Sequence, residues 1–169
     1  KVAILSWITK QLLGQLSEIV GPTWVKTDAN DLTHYGKDWS SNSNPDPSAI
    51  TLPASIKEVQ DIVALANEHR IPLVPSGGRT GLSGGAVAEK GELVVSFDRM
   101  KKILDFDATD RLVTCQPGVV TSDLKEFAEA KGLFYAVDFA SAGASQLGGN
   151  VATNAGGINV LRYGMTRDY

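Results

Sequence analysis

The residues best suited to chemistry lie in Pro75-Ser76-Gly77-Gly78-Arg79-Thr80-Gly81-Leu82-Ser83-Gly84-Gly85. Glycines let the backbone take positive φ and let a ligand approach the main chain closely. Successive exposed N–H groups in such a loop form a concave anion site. The hydroxyls of Ser76, Thr80 and Ser83 add donors, and Arg79 adds a countercharge. The chemistry this implies is a cradle for a phosphate or pyrophosphate at the C-terminal end of a strand; the plain alternative is a flexible surface loop. The spacing is not Gly-x-Gly-x-x-Gly, because Arg79 stands where the second glycine would fall, and no Gly-Lys-Ser/Thr follows. A Walker-type nucleotide hydrolase is therefore disfavoured.

A second side-chain-poor stretch runs from Ser141 to Gly157. With Gly148, Gly149, Ala152, Gly156 and Gly157 in it, a flat group can lie against the backbone with little steric resistance. Asn150, Thr153 and Asn154 offer hydrogen bonds at its edges. A cluster of tight turns whose glycines serve packing alone is the alternative. Together the two stretches suit a long ligand with an anionic middle and a flat, polar-edged end. Other reactive types point nowhere: Ser76 and Ser145 have no recognisable neighbouring base, and His34 and His69 stand alone, so no metal site is expected. Cys115 reads as a small buried hydrophobe. No catalytic residue is assigned.

Several elements must position these loops. Leu5, Ile8, Leu12, Leu16 and Ile19 recur at helical spacing and stop at Gly21-Pro22, so an amphipathic helix is expected. Thr27 to Pro47, rich in turn formers such as Asp28, Asn42 and Pro45, reads as a connector on the surface. A strand over Ala49–Leu52 then leads to Ser55 and Glu58 at capping-box spacing. Ile56, Val59, Ile62, Val63 and Ala66 are expected to form one helical stripe ended by Pro72. Leu73–Pro75 and Leu93–Phe97 read as strands, and Ile103–Asp107 with Arg111–Gln116 as a hairpin. Thr121 is expected to cap a helix that carries Leu124, Phe127 and Ala128, and Asp98–Lys102 reads as a solvated turn. The fold class is α+β: a small parallel βαβ subdomain, then a mainly antiparallel subdomain.

With 169 residues, 43% hydrophobic and 21% charged, the chain reads as a folded globular domain. A net charge of −3 is a poor footing for nucleic-acid binding, which needs a basic field. One cysteine excludes an intrachain disulfide framework. No run approaches the roughly 20 apolar residues of a membrane span, so a cytoplasmic protein is expected.

Pro75–Gly85, Leu147–Gly157 and Leu161-Arg162-Tyr163-Gly164-Met165-Thr166-Arg167-Asp168 resemble the FAD-binding half of the vanillyl-alcohol-oxidase, or para-cresol-methylhydroxylase, type of flavoprotein. Within it they are most similar to the D-2-hydroxyacid dehydrogenase branch, whose entry segment Asp31–Tyr35 with Asp38-Trp39 also resembles. The resemblance implies that residues 75–83 wrap the FAD pyrophosphate. Gly148–Gly157 would line the ribityl and isoalloxazine region, with Arg162, Tyr163 and Gly164 closing the same pocket. Some relatives attach flavin through a histidine just after the paired glycines; Arg79 stands there, which implies non-covalent FAD. Phe139 replaces a frequent proline, and Arg79 a frequent glycine. The chain is expected to divide into residues 1–48, an N-terminal helix and wrapping connector, and residues 49–169, an FAD-binding domain that the resemblance implies is incomplete at its C-terminus. A substrate domain beyond Tyr169 would receive a D-2-hydroxy acid of lactate, glycolate or 2-hydroxyglutarate type, whose hydride passes to FAD, and this piece alone is expected to be inactive. A homodimer or an electron-acceptor partner fits the same picture. Another flavoenzyme of the same fold, of alkyl-glycerone-phosphate synthase or sugar-nucleotide reductase type, and a non-catalytic nucleotide-binding module are the alternatives.

Overall fold

The computed structural model describes residues 7–40 and 44–169, so Leu5 and Asn42 lie outside the described residues. It divides into a unit that runs to Arg99 and a second from Met100 to Tyr169.

In the first unit, helix α1 (Lys10–Val20) starts at Thr9, whose side chain accepts the Leu12 N–H. Its stripe of Leu12, Leu16 and Val20 is buried with Ile8 among residues of helix α3 (Ile56–His69) and of the sheet. That stripe removes apolar surface from water at about 25 cal/mol per Å². The expected connector is more ordered than its composition suggests. It contains helix α2 (Ala29–Tyr35), which is capped by the Asp28 carboxylate on the Asp31 N–H, and strand β1 (Val25–Lys26) directly precedes it. Strands β2 (Ala49–Thr51), β3 (Leu73–Ser76) and β4 (Leu93–Ser96) complete a sheet ordered β1-β2-β4-β3. Both β2 and β3 run parallel to β4, which lies between them with every residue buried, while β1 is antiparallel to β2.

Helix α3 departs from the expected pattern in two details. Ser55 accepts the Glu58 N–H, but Glu58 reaches back to the Ala54 N–H, one residue earlier than a capping box places it. Its buried face is Ile62, Leu65 and Ala66, whereas Ile56 and Val63 are exposed. The Asp98–Lys102 run is not merely solvated: Arg99 stacks over the Trp24 ring at 4.0 Å and donates to the Leu52 carbonyl, and Met100 is buried.

The second unit opens with the antiparallel hairpin β5 (Ile103–Asp107) and β6 (Leu112–Cys115). Helix α4 (Thr121–Glu129) follows, with Val120 at its N-cap, so Thr121 is the first helical residue and not the cap. Cys115 is half-buried, and burial pushes its thiol pKa up. Two further helices follow, α5 (Leu147–Thr153) within the small-residue stretch and α6 (Val160–Tyr163) just after it. Among the described residues no helix is long and apolar enough to cross a membrane.

Candidate functional site

The first glycine-rich loop leaves the C-terminal end of β3. Because β4 is parallel to β3, the chain must travel back along the unit before re-entering the sheet, and the loop is the start of that return. At its root the Ser76 carbonyl accepts the Phe97 N–H at 3.0 Å. The Ser76 side chain is fully buried, and its Oγ has no hydrogen-bond partner among the described residues. An unmatched buried hydroxyl costs roughly 1–3 kcal/mol. Beyond it, the N–H groups of Gly78 to Ser83 make no hydrogen bond among the described residues. Cβ atoms placed at Gly84 or Gly85 would meet nothing within 4 Å, and one at Gly81 would meet only Asp38 Oδ2, at 3.8 Å. Gly81 within this run, and Gly84 and Gly85 just beyond it, thus leave space at the loop, and consecutive free N–H groups are what a diphosphate needs of a main chain.

Arg79 does not offer the loose countercharge expected of it. It sits in the left-handed region at φ 59°, a conformation that favours glycine. Its guanidinium donates to its own turn at the Gly77 carbonyl (2.8 Å) and to Asp98 Oδ2 (3.0 Å), and it lies 5.0 Å from the Tyr35 ring centre. The ion pair with Asp98 is largely shielded from water. Burial first, and Asp98 second, raise the pKa of the Tyr35 phenol. The loop's attraction for an anion therefore rests on main-chain dipoles more than on a free cation.

Helix α2 and the residues after it brace the far half of the loop. The Trp39 N–H donates to the Gly81 carbonyl (2.9 Å), and the Ala88 N–H donates to the Gly36 carbonyl (2.9 Å). Asp38 is 6% exposed; its Oδ2 accepts the Gly84 N–H at 2.8 Å, and its Oδ1 accepts both the N–H and the hydroxyl of Ser40. Burial alone would raise the Asp38 pKa, but these hydrogen bonds together hold it below the ordinary carboxylate range. Sequence reasoning gave Asp38 no role. Its one local signal is the Asp-x-Ser spacing that lets a carboxylate bind the backbone two residues on.

In the second unit, the glycine stretch folds for different reasons. Thr121, Ser145 and Asn150 form a buried network: the Thr121 and Ser145 hydroxyls meet at 2.7 Å, and Asn150 Nδ2 donates to Thr121 Oγ1 at 2.6 Å. The first N–H groups of α5 are taken by main chain, Leu147 to the Val119 carbonyl and Gly148 to that of Pro117. Thr153 Oγ1 bonds back to Gly149, and Asn154, left-handed at φ 47°, accepts the Arg167 N–H. Asn150, Thr153 and Asn154 are thus all engaged inside their own unit. Gly149, Ala152 and Thr153 share an exposed, low face of α5. Ser141 closes a turn through its carbonyl, which accepts the Ala144 and Ser145 N–H groups. The Arg162 guanidinium lies 5.2 Å from the Tyr163 ring centre, and Gly164 turns the chain at φ 82°.

A glycine-rich loop with free main-chain N–H groups after a parallel strand of an α+β unit suits the class of domains that hold a phosphate-bearing cofactor. Residues 47–169 match the sequence profile described as the FAD binding domain, and the chain belongs to that family; its cofactor is FAD. The chain is 61% identical over 158 residues to D-2-hydroxyglutarate dehydrogenase of Stutzerimonas stutzeri, covering 94% of this chain and 34% of that protein. It is 39% identical over 163 residues to glycolate oxidase subunit GlcD of Bacillus subtilis, covering 96% and 34%. Among solved structures, an alkyldihydroxyacetonephosphate synthase superposes with a TM-score of 0.86 at 24% identity, covering 95% of this chain and 35% of that one, a likeness of fold. The chain spans about a third of the length of the curated relatives it matches.

Proposed function

We propose that this chain is the FAD-binding portion of an oxidoreductase that converts a D-2-hydroxy acid to its 2-oxo acid, two electrons passing to FAD, with D-2-hydroxyglutarate the preferred substrate. When bound, FAD supplies the two-electron redox chemistry. The observation that carries the reading is the loop after β3, where unpaired N–H groups from Gly78 to Ser83 lie beside glycines with open space and a buried, unmatched Ser76 hydroxyl. We assign Pro75 to Ser83 to the diphosphate. Ser141, the Gly148–Gly157 stretch and Arg162 to Gly164 are assigned to the flavin end. The choice of substrate rests on the 61% identity to a D-2-hydroxyglutarate dehydrogenase. FAD is held non-covalently, because the side chain at position 79 is a guanidinium already engaged by Asp98 and Gly77. The same reading takes an electron acceptor as partner, in the cytoplasm.

Gly81→Ala tests the cradle. The added methyl meets only an ordinary contact at 3.8 Å, so the apo fold should keep its melting temperature. FAD affinity should fall about tenfold or more, a cost near 1.4 kcal/mol. Unchanged affinity, read by titration of flavin fluorescence, removes the loop from the site. Anaerobic bleaching of the flavin band in the intact protein should be faster with D-2-hydroxyglutarate than with D-lactate or glycolate; the reverse order overturns the substrate. Acid precipitation should leave all flavin in the supernatant.

A further inference from the structure

A buried carboxylate directly behind an anion-binding loop is an electrostatic oddity, because its charge opposes that of the ligand. Asp38 is such a group: it is 6% exposed, and its Oδ2 lies within ordinary contact of where a Gly81 Cβ would sit. Its hydrogen-bond partners are the Ser40 N–H, the Ser40 hydroxyl and the Gly84 N–H, all uncharged. Burying a charge this way is costly unless its lone pairs are well used. Two of these partners are backbone N–H groups, which only donate, and the third is a hydroxyl that donates here. A carboxylate, which only accepts, matches all of them.

We propose that Asp38 is the positioning residue of the cradle. It fastens Gly84, while the adjacent Trp39 N–H fastens Gly81, so that the far half of the loop is held at both ends by one short segment. Gly84, fixed at φ 77°, spends its N–H on Asp38, and the N–H groups of Gly78 to Ser83 are left for the ligand. The charge of Asp38 is offset locally by three hydrogen bonds, and the benefit is a pre-formed loop that pays less ordering entropy when the diphosphate arrives. The inference rests on the assignment of this loop to the diphosphate of FAD.

Asparagine discriminates a positioning role from mere packing. It is isosteric, yet in one orientation its amide group faces the Gly84 N–H, and in the other it faces the Ser40 N–H, so one backbone donor always loses its partner. In the intact apo-protein, Asp38→Asn is expected to raise the dissociation constants of FAD and of ADP alike by about tenfold. ADP serves as a probe because it carries the diphosphate without the isoalloxazine ring. Far-UV circular dichroism should be unchanged. Ser40→Ala, which leaves the Gly84 bond in place, should raise both constants about two- to threefold. A merely structural Asp38 would lower the melting temperature and leave the ADP affinity of the folded protein untouched, and that result overturns the proposal. Gly81→Ala separates the two failures. If it leaves ADP affinity unchanged, the loop is not the diphosphate site and both readings fall. If it weakens ADP while Asp38→Asn does not, only the role of Asp38 falls. Should Asp38→Asn not fold, Ser40→Ala decides, a rise in the ADP constant supporting the proposal and no rise overturning it.

Discussion

Two glycine-rich stretches differ in what most of their glycines are for. In the loop after β3, Gly81, Gly84 and Gly85 face open space or a single ordinary contact. In the second unit a Cβ at Gly148 would lie 2.7 Å from Pro117 Cβ, one at Gly156 would lie 2.8 Å from Val160, and one at Gly157 would overlap the Asp138 carbonyl. Gly81, Gly84 and Gly85 leave room for something outside the protein, as Gly143 and Gly149 do in the second stretch, whereas Gly148, Gly156 and Gly157 let the protein's own chain close on itself. A run of glycines therefore marks close approach without saying what approaches, and only the neighbours distinguish a ligand from a carbonyl.

The contrast breaks most sharply at Gly157. Alanine there must adopt φ 136° and displace the Asp138 backbone, which also receives the Ile158 N–H. A combined backbone and steric penalty of about 4 kcal/mol or more is expected. Thermal unfolding with and without FAD should show the loss in both, since the defect precedes any ligand. Asn150→Ala is the next largest. Removing its amide strips Thr121 Oγ1 of a buried donor, for about 1–3 kcal/mol. The affinity of the remaining folded protein for ADP should stay within about twofold. A large drop in ADP affinity would move Asn150 from framework to cradle and erase the contrast.

How far the sequence reaches differs between the two regions for the same physical reason. The strand–loop–strand around residues 73–96 is legible because β-branched runs, a proline-ended helix and a glycine cluster are all local signals. Helix α2 was hidden inside a polar run, although Asp28 stands three residues before Asp31 at cap spacing. Helix α5, with two glycines in its first turn, has poor intrinsic propensity. It forms because Val119 and Pro117 take its first N–H groups, a tertiary effect that composition cannot register. The exposed Val63 and buried Leu65 show that a stripe is fixed by what α3 packs on. Asp38 lies furthest from local reading: its partner Gly84 is 46 residues away, so the carboxylate gained meaning only when the loop was seen against it.

Ser76 sharpens the comparison from the open side. Ser76→Ala removes a buried hydroxyl that has no partner among the described residues, so the apo-protein should be unchanged or more stable by about 1 kcal/mol. If the hydroxyl meets the diphosphate, the same change weakens FAD by up to about tenfold. Opposite signs for stability and affinity are the mark of a group kept for a ligand. A loss of apo stability instead would mean that the hydroxyl already serves the fold, as Thr121 does in the second unit.

The smallest expected effect is a pH dependence at the brace of the open loop. Hydrogen bonds hold the Asp38 pKa below its unfolded value, so its ionised form stabilises the fold. That contribution is complete above the ordinary aspartate range, near pH 4, and is lost as pH falls through the lower folded-state value. Asp28, also shifted down at the cap of α2, and Asp31, shifted up beside it, titrate in the same region with opposing signs. The difference between wild type and Asp38→Asn isolates the one group. Their melting temperatures should be furthest apart near neutral pH and converge below pH 4 (about the unfolded aspartate value), because a protonated Asp38 offers Gly84 and Ser40 little more than an amide does. A gap that stays constant through acid would mean that shape, not charge, matters at position 38.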